Sequence, residues 1–187
     1  NYQDVQDPAV TILFKLKDQP HHIAAWTTTP WTLPANLALC VGKDIDYVIA
    51  KHQDSQQTII MAASRFEYYA QNHPLVIEAH LKGHELIGQH YEPLFPSYEK
   101  LAEEGAFQIL SGDFVTTEDG TGIVHCAPAF GEDDYNVLQQ HDIKAFACPL
   151  NDQGEFNEEI PELTGQTFKQ ANKTIIKSLK TSKQLLD

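Results

Sequence analysis

Residues 26–36 read Trp-Thr-Thr-Thr-Pro-Trp-Thr-Leu-Pro-Ala-Asn. Much later in the chain, Gly120-Thr-Gly-Ile-Val-His-Cys-Ala-Pro128 runs into Gly131-Glu-Asp-Asp-Tyr135. The first segment offers consecutive hydroxyls at the end of an apolar strand that Pro30 has to stop, because proline gives a ladder no donor. The second offers an imidazole, His125, and a carboxylate cluster at a strand-to-helix turn. Asp134 falls in the first helical turn, where free amides and the helix dipole favour an ionised acid. Together these groups suit a small polar ligand carrying a positive charge. Taken singly, each has a plainer reading: threonines satisfied by turns, acids that cap and solvate a helix, a packed histidine.

Other chemistry finds less support. Strand alternation puts Ile123, His125 and Ala127 on one face and Val124 and Cys126 on the other, so His125 and Cys126 do not form a thiol-imidazole couple. There is no Gly-x-Ser-x-Gly elbow, and covalent catalysis has no candidate. Cys40, Cys126 and Cys148 are far apart in sequence with no Cys-x-x-Cys spacing, which signals neither a disulfide framework nor a thiolate zinc site and fits a reducing cytoplasm. His80 and His84 have helical zinc spacing, but Gly83 and strand-like sequence surround them, and no metal site is expected. Phosphate-loop and dinucleotide fingerprints are absent.

The elements that must position these groups are mostly short strands between turns, predicted over 10–17, 23–28, 47–51, 58–61, 75–80, 107–110 and 122–127. Helices are predicted over 132–140 and 168–179, with a weaker one over 64–70. In the 168–179 helix Phe168, Ala171, Ile175 and Leu179 share a face, and Thr167 with Gln170 matches a capping box. Glycines and prolines punctuate the middle at β-turn intervals. The fold class expected is mainly β, a closed or nearly closed barrel with peripheral helices, since closure would remove exposed apolar edges.

At 187 residues and 42% apolar the chain makes one domain, 1–187. No apolar run approaches a membrane span, and no membrane partner is expected. Asn1 in place of a start methionine suggests a piece of something longer. The formal net charge of -13 argues against a large nucleic-acid footprint. Lys169, Lys173, Lys177, Lys180 and Lys183 recur at helical spacing and read as the wet face of a helix, with no nucleic-acid role.

The paired motifs resemble the editing domain of isoleucyl-tRNA synthetase. Asp7-Pro8, Glu85-Leu-Ile-Gly with Tyr91-Glu-Pro-Leu-Phe95, and Gly165 leading into Ala171-Asn-Lys173 extend the likeness over nearly the whole chain. Valyl and leucyl relatives place an arginine after two threonines, where this chain has Thr29; Cys126 and Phe130 stand where many members carry threonine and histidine. The resemblance implies a β-barrel domain inserted into a class I synthetase, monomeric as a fragment, without a cofactor of its own. ATP and metal would belong to the parent enzyme.

It further implies hydrolysis of valyl-tRNA(Ile), and of valyl-adenylate, with the aminoacylated 3′ end of tRNA(Ile), the valine moiety and the remainder of the synthetase as partners. Asp134, His125 and Thr29 would form the catalytic set. Trp26, Thr27, Thr28, Thr29, Thr32, His125 and Asp134 would bind substrate, with Asp134 on the α-ammonium and His125 excluding isoleucine. A non-catalytic module that grips the tRNA acceptor end, or a valyl or leucyl relative, is the alternative.

Overall fold

A computed structural model describes residues 8–186; Asp7 lies outside them. The described residues contain eight strands: β1 (Val10–Lys15), β2 (His21–Thr27), β3 (Ala38–Val41), β4 (Asp46–His52), β5 (Thr58–Ala62), β6 (Leu75–Lys82), β7 (Gln108–Ser111) and β8 (Ile123–Cys126). Three α-helices decorate them: α1 (Phe66–Ala70), α2 (Glu132–Gln140) and α3 (Phe168–Thr181). The sheet runs β6-β4-β5-β2-β8-β3-β7, with β1 on the other edge of β2.

The mainly-β class holds, but the expected closed or nearly closed barrel does not form. The sheet is curled and open, because β6 and β7 end it without pairing to each other. Each edge is protected in another way. β6 carries Glu78, His80 and Lys82 between its apolar residues, and Lys82 is ion-paired with Asp46 at 2.6 Å; charge along an edge discourages pairing with another chain. β7 is screened by a bridge between His90 and Gln108.

The curl originates at β2. One edge of this strand pairs with β1 over six residue pairs, Val10↔Thr27 to Lys15↔His22. The other edge is divided: β5 lies parallel to its start, at His21 to Ile23, and β8 lies parallel to its end, where Trp26 faces Val124. Two strands sharing one edge must diverge, and the end of β2 is thereby left beside β8. The threonine run that follows β2 thus reaches the His125 segment because of sheet topology.

β1 reads VTILFK with almost no polar alternation because both of its faces are covered. Ile12, Phe14 and Leu16 enter the main core, while Leu13 enters a second cluster with Val48, Ala50, Ile59, Met61 and Tyr69 of α1. A strand buried on both sides gains apolar burial on each, which is why its sequence resembles a continuous hydrophobic run. α3 follows its sequence prediction: the Thr167–Gln170 capping box forms, and Ala171, Ile175 and Leu179 are buried. Phe168 departs from that stripe. At the first helical position it is 42% exposed and leans on Trp31, with ring centroids 5.6 Å apart.

The prediction missed β3, although Leu37 to Val41 is an apolar run bounded by Asn36 and Gly42. This strand pairs antiparallel with β8, with Leu39 opposite His125, and parallel with β7. Among the described residues no helix is long and apolar enough to cross a membrane.

Candidate functional site

Thr27 ends β2, and Pro30–Ala35 follows as a short 3-10 helix, so the threonines occupy the bend between them. Most of their polar groups are spent locally. The Thr29 backbone N–H donates to Thr27 Oγ1 at 3.0 Å, the Thr27 and Thr29 hydroxyls lie 3.2 Å apart, and Thr32 Oγ1 donates to the Thr29 carbonyl at 2.9 Å. Thr28 differs: it is exposed, and its hydroxyl makes no hydrogen bond among the described residues. The run therefore presents one hydroxyl, that of Thr28, without a partner among the described residues, on a bend closed by its own hydrogen bonds.

His125 is buried, and both of its ring nitrogens are engaged. Asn36 Nδ2 donates to Nδ1 at 2.7 Å, so Nε2 carries the proton and donates to Thr32 Oγ1 at 2.9 Å. Asn36 in turn accepts from the Tyr91 hydroxyl, itself fully buried, and donates to the Ala38 carbonyl. Burial pushes the His125 pKa down to about 4. The imidazole is neutral, fixed as one tautomer, and has no lone pair left with which to take a proton from water.

Asp134 lies in the first turn of α2 and is half-buried. Its Oδ2 accepts from the Ala127 N–H just beyond β8, at 3.0 Å, while Oδ1 has no partner among the described residues. Gly131 makes this approach possible, since a Cβ there would come within 2.9 Å of the carboxylate. Burial raises the Asp134 pKa above the usual carboxylate value; the charge of Asp133 adds to the rise and the Ala127 amide opposes it. A half-buried anion with one oxygen unengaged is poised to accept a cation.

A cavity of about 300 Å³ opens on the other side of the threonine bend. Trp26, Thr27 and Thr28 line it together with Phe114 and the turn from Gly120 to Val124. His125 and Asp134 do not line it: His125 lies further along β8, and Asp134 reaches the Ala127 amide just beyond that strand from α2. The turn is held tightly: Arg65, the sole arginine of the chain, donates to the Gly120 carbonyl at 2.7 Å, and Tyr47 donates to the Gly122 carbonyl at 2.7 Å. Gly122 has φ +80°, and a Cβ on it would fall 2.6 Å from the Ala62 Cβ, so only glycine fits the crossing over β5.

Several participants escaped the sequence prediction. Asn36 and Tyr91 fix His125; Asn36 closes the 26–36 motif and Tyr91 opens the 91–95 segment, yet the sequence assigns neither a role, because nothing in either segment points to His125. Asn172 on α3, also buried, accepts from the Trp31 N–H at 2.9 Å and ties that helix to the threonine bend across 141 residues of sequence. Asn172→Ala is expected to cost about 1–3 kcal/mol of stability by orphaning that amide, measurable by urea unfolding; an unchanged midpoint would show that the amide finds another partner. Cys40 and Cys126, distant in sequence, lie with their sulfurs 3.2 Å apart as free, buried thiols. The Cys40 sulfur and burial push the Cys126 pKa up, which suppresses its nucleophilicity. No group of three or more potential metal ligands occurs among the described residues.

No protein-family profile matches the chain. Individual proteins do. The isoleucine–tRNA ligase of Bdellovibrio bacteriovorus is 48% identical over 183 residues, 96% of this chain and 17% of that enzyme. The Tetrahymena thermophila isoleucine–tRNA ligase is 43% identical over 192 residues, 100% of this chain and 18% of that enzyme. The chain thus spans less than a fifth of the length of these curated relatives. Among solved structures, GlLeuRS-CP1 superposes with a TM-score of 0.74 at 14% identity, covering 95% of this chain and 97% of that one. The editing domain of the cytosolic leucyl-tRNA synthetase of P. knowlesi gives 0.71 at 14% identity, covering 95% and 94%. These structural likenesses concern the fold.

Proposed function

For a chain that belongs to the isoleucine–tRNA ligase family, we propose that residues 1–187 form its proofreading domain, which hydrolyses valyl-tRNA(Ile) and valyl-adenylate. The observation that carries this reading is the half-buried Asp134 carboxylate with its free Oδ1, held by the Ala127 amide at the end of β8, the strand whose start borders the cavity beside the unpaired Thr28 hydroxyl. Val124 lines the cavity and Ala127 holds Asp134, so the two are separated by about 10 Å of strand. That is the reach of an aminoacyl nucleoside. The terminal adenosine occupies the cavity, the ester lies over Thr28 and Thr29, and the α-ammonium meets Asp134.

Water attacks the ester carbonyl, the carbonyl–ribose oxygen bond breaks, and the ribose oxygen leaves with a proton to give free valine and an intact tRNA end. No side chain is placed as nucleophile, and His125 is held too fully to act as base. Positioning and hydrogen bonds to the developing oxyanion, with the Thr28 hydroxyl as the available donor, supply the rate enhancement. His125 acts instead as a wall, set by Asn36 and Thr32, that limits the alkyl space.

Such a second site answers an energetic limit. One methylene is worth only about 1–3 kcal/mol in a hydrophobic pocket, and isoleucine against valine is itself the standard illustration of that limit. A site that admits valine and excludes isoleucine by size adds the missing discrimination. The fold likeness to leucyl enzymes leaves the isoleucine assignment intact, because it is the isoleucine ligases that share 40–48% of residues with this chain. The test is deacylation by the ligase containing this chain: valyl-tRNA(Ile) should be cleared and isoleucyl-tRNA(Ile) spared. Binding of both without release of valine would leave a non-catalytic acceptor-end module.

A further inference from the structure

We infer that the exposed lysine face of α3 is a docking strip for the phosphates of the tRNA strand whose 3′ end enters the site. This rests on the proofreading reading above and extends it from the site to the surface beside it. Lys169, Lys173, Lys177 and Lys180 are all exposed and fall within one narrow arc of the helix, on the side away from the buried Ala171, Ile175 and Leu179. Their span is about 17 Å along the axis at 1.5 Å per residue.

Three observations separate this face from an ordinary solvated one. First, a solvated helix normally interleaves signs, because like charges four residues apart repel. Here Lys169–Lys173 and Lys173–Lys177 are such like pairs, and no Asp or Glu occurs between Glu162 and Asp187 in a chain with a formal net charge of -13. Second, none of these lysines forms an ion pair among the described residues, whereas Lys82 does. Third, the strip begins at the site. Phe168 packs on Trp31, Trp31 packs on Phe130 with ring centroids 4.9 Å apart, and Asn172 holds the Trp31 amide. A polyanion leaving the threonine bend along α3 would meet an ammonium at each successive turn. The wet-face reading of the sequence was right about exposure and did not foresee where the helix is docked.

The experiment is deacylation of valyl-tRNA(Ile) by the ligase containing this chain, followed over a range of KCl concentrations. The quadruple variant Lys169→Gln, Lys173→Gln, Lys177→Gln, Lys180→Gln is compared with the unmodified enzyme and with Lys82→Gln. The expected result is a KM raised at least tenfold with kcat unchanged. The slope of log(kcat/KM) against log salt should flatten by about 0.7 for each single-strand phosphate contact removed, while tRNA-independent isoleucine activation and the Lys82→Gln variant remain unaltered. An unchanged KM and slope would overturn the inference and leave proofreading standing. A lost rate with an intact salt slope would also overturn it, by placing the face against protein. If the unmodified enzyme fails to deacylate valyl-tRNA, the proofreading reading falls and this inference with it.

Discussion

Asp134→Asn is expected to reduce kcat/KM for valyl-tRNA(Ile) deacylation roughly 100-fold, the equivalent of about 3 kcal/mol for a charged partner removed from a partly buried ion pair. Isoleucine charging should be untouched. The same substitution should stabilise the empty protein at neutral pH. Burial raises the folded-state pKa of Asp134 above its unfolded value, so the ionised carboxylate costs stability at neutral pH, and that cost disappears as pH falls through the folded pKa. Asparagine keeps a carbonyl to accept from the Ala127 amide and removes the charge. A higher Tm for the variant at pH 7, converging with the parent in acid, would mark Asp134 as a group held ready for a ligand cation. Normal clearance of valyl-tRNA by the variant would remove it from the mechanism, and a lower Tm would contradict the electrostatic account.

How much of this was legible in the sequence varies with the range of the interaction. α2 and the capped start of α3 were readable because capping and helical periodicity are encoded within a few residues. Most strand positions were readable for the same reason. Sheet closure was not, since it depends on β2 sharing one edge between β5 and β8, a division that no local pattern records. Within the site, the threonine bend and the His125 segment were found by residue type, and the pairing of Trp26 with Val124 brings them together. What could not be found were the residues that determine how His125 behaves. Asn36 sits in the unpredicted approach to β3, Tyr91 in an irregular connection, and Asn172 on a distant helix; each acts through a contact made only in the folded chain. The meeting of Cys40 and Cys126 belongs to the same class, because cross-strand register alone brings them together.

The locked histidine makes a second large prediction. Protonating His125 would place a new N–H on Nδ1 against the Asn36 amide that now donates to it, in a buried site where the charge is poorly solvated. The folded-state pKa of about 4 lies below the ordinary 6.5. Between these values the unfolded chain takes up a proton that the folded chain refuses, so the contribution is fully present above pH 6.5 and is lost as pH falls through about 4. Its size is about 3 kcal/mol. His125→Gln should therefore be less stable than the parent at pH 7, by orphaning polar groups of Asn36 and Thr32, and the difference should shrink by about 3 kcal/mol on acidification to pH 4. Carboxylate titration is common to both proteins and cancels in the comparison. Urea unfolding at several pH values measures this directly, and a constant difference across the range would mean that His125 is solvated. The kinetic corollary is equally definite. If His125 is a wall with both nitrogens occupied, deacylation by the parent shows no inflection near pH 6.5 arising from this residue, and His125→Ala admits isoleucyl-tRNA(Ile) to hydrolysis; an imidazole-type inflection that vanishes in His125→Gln would instead make this side chain the base.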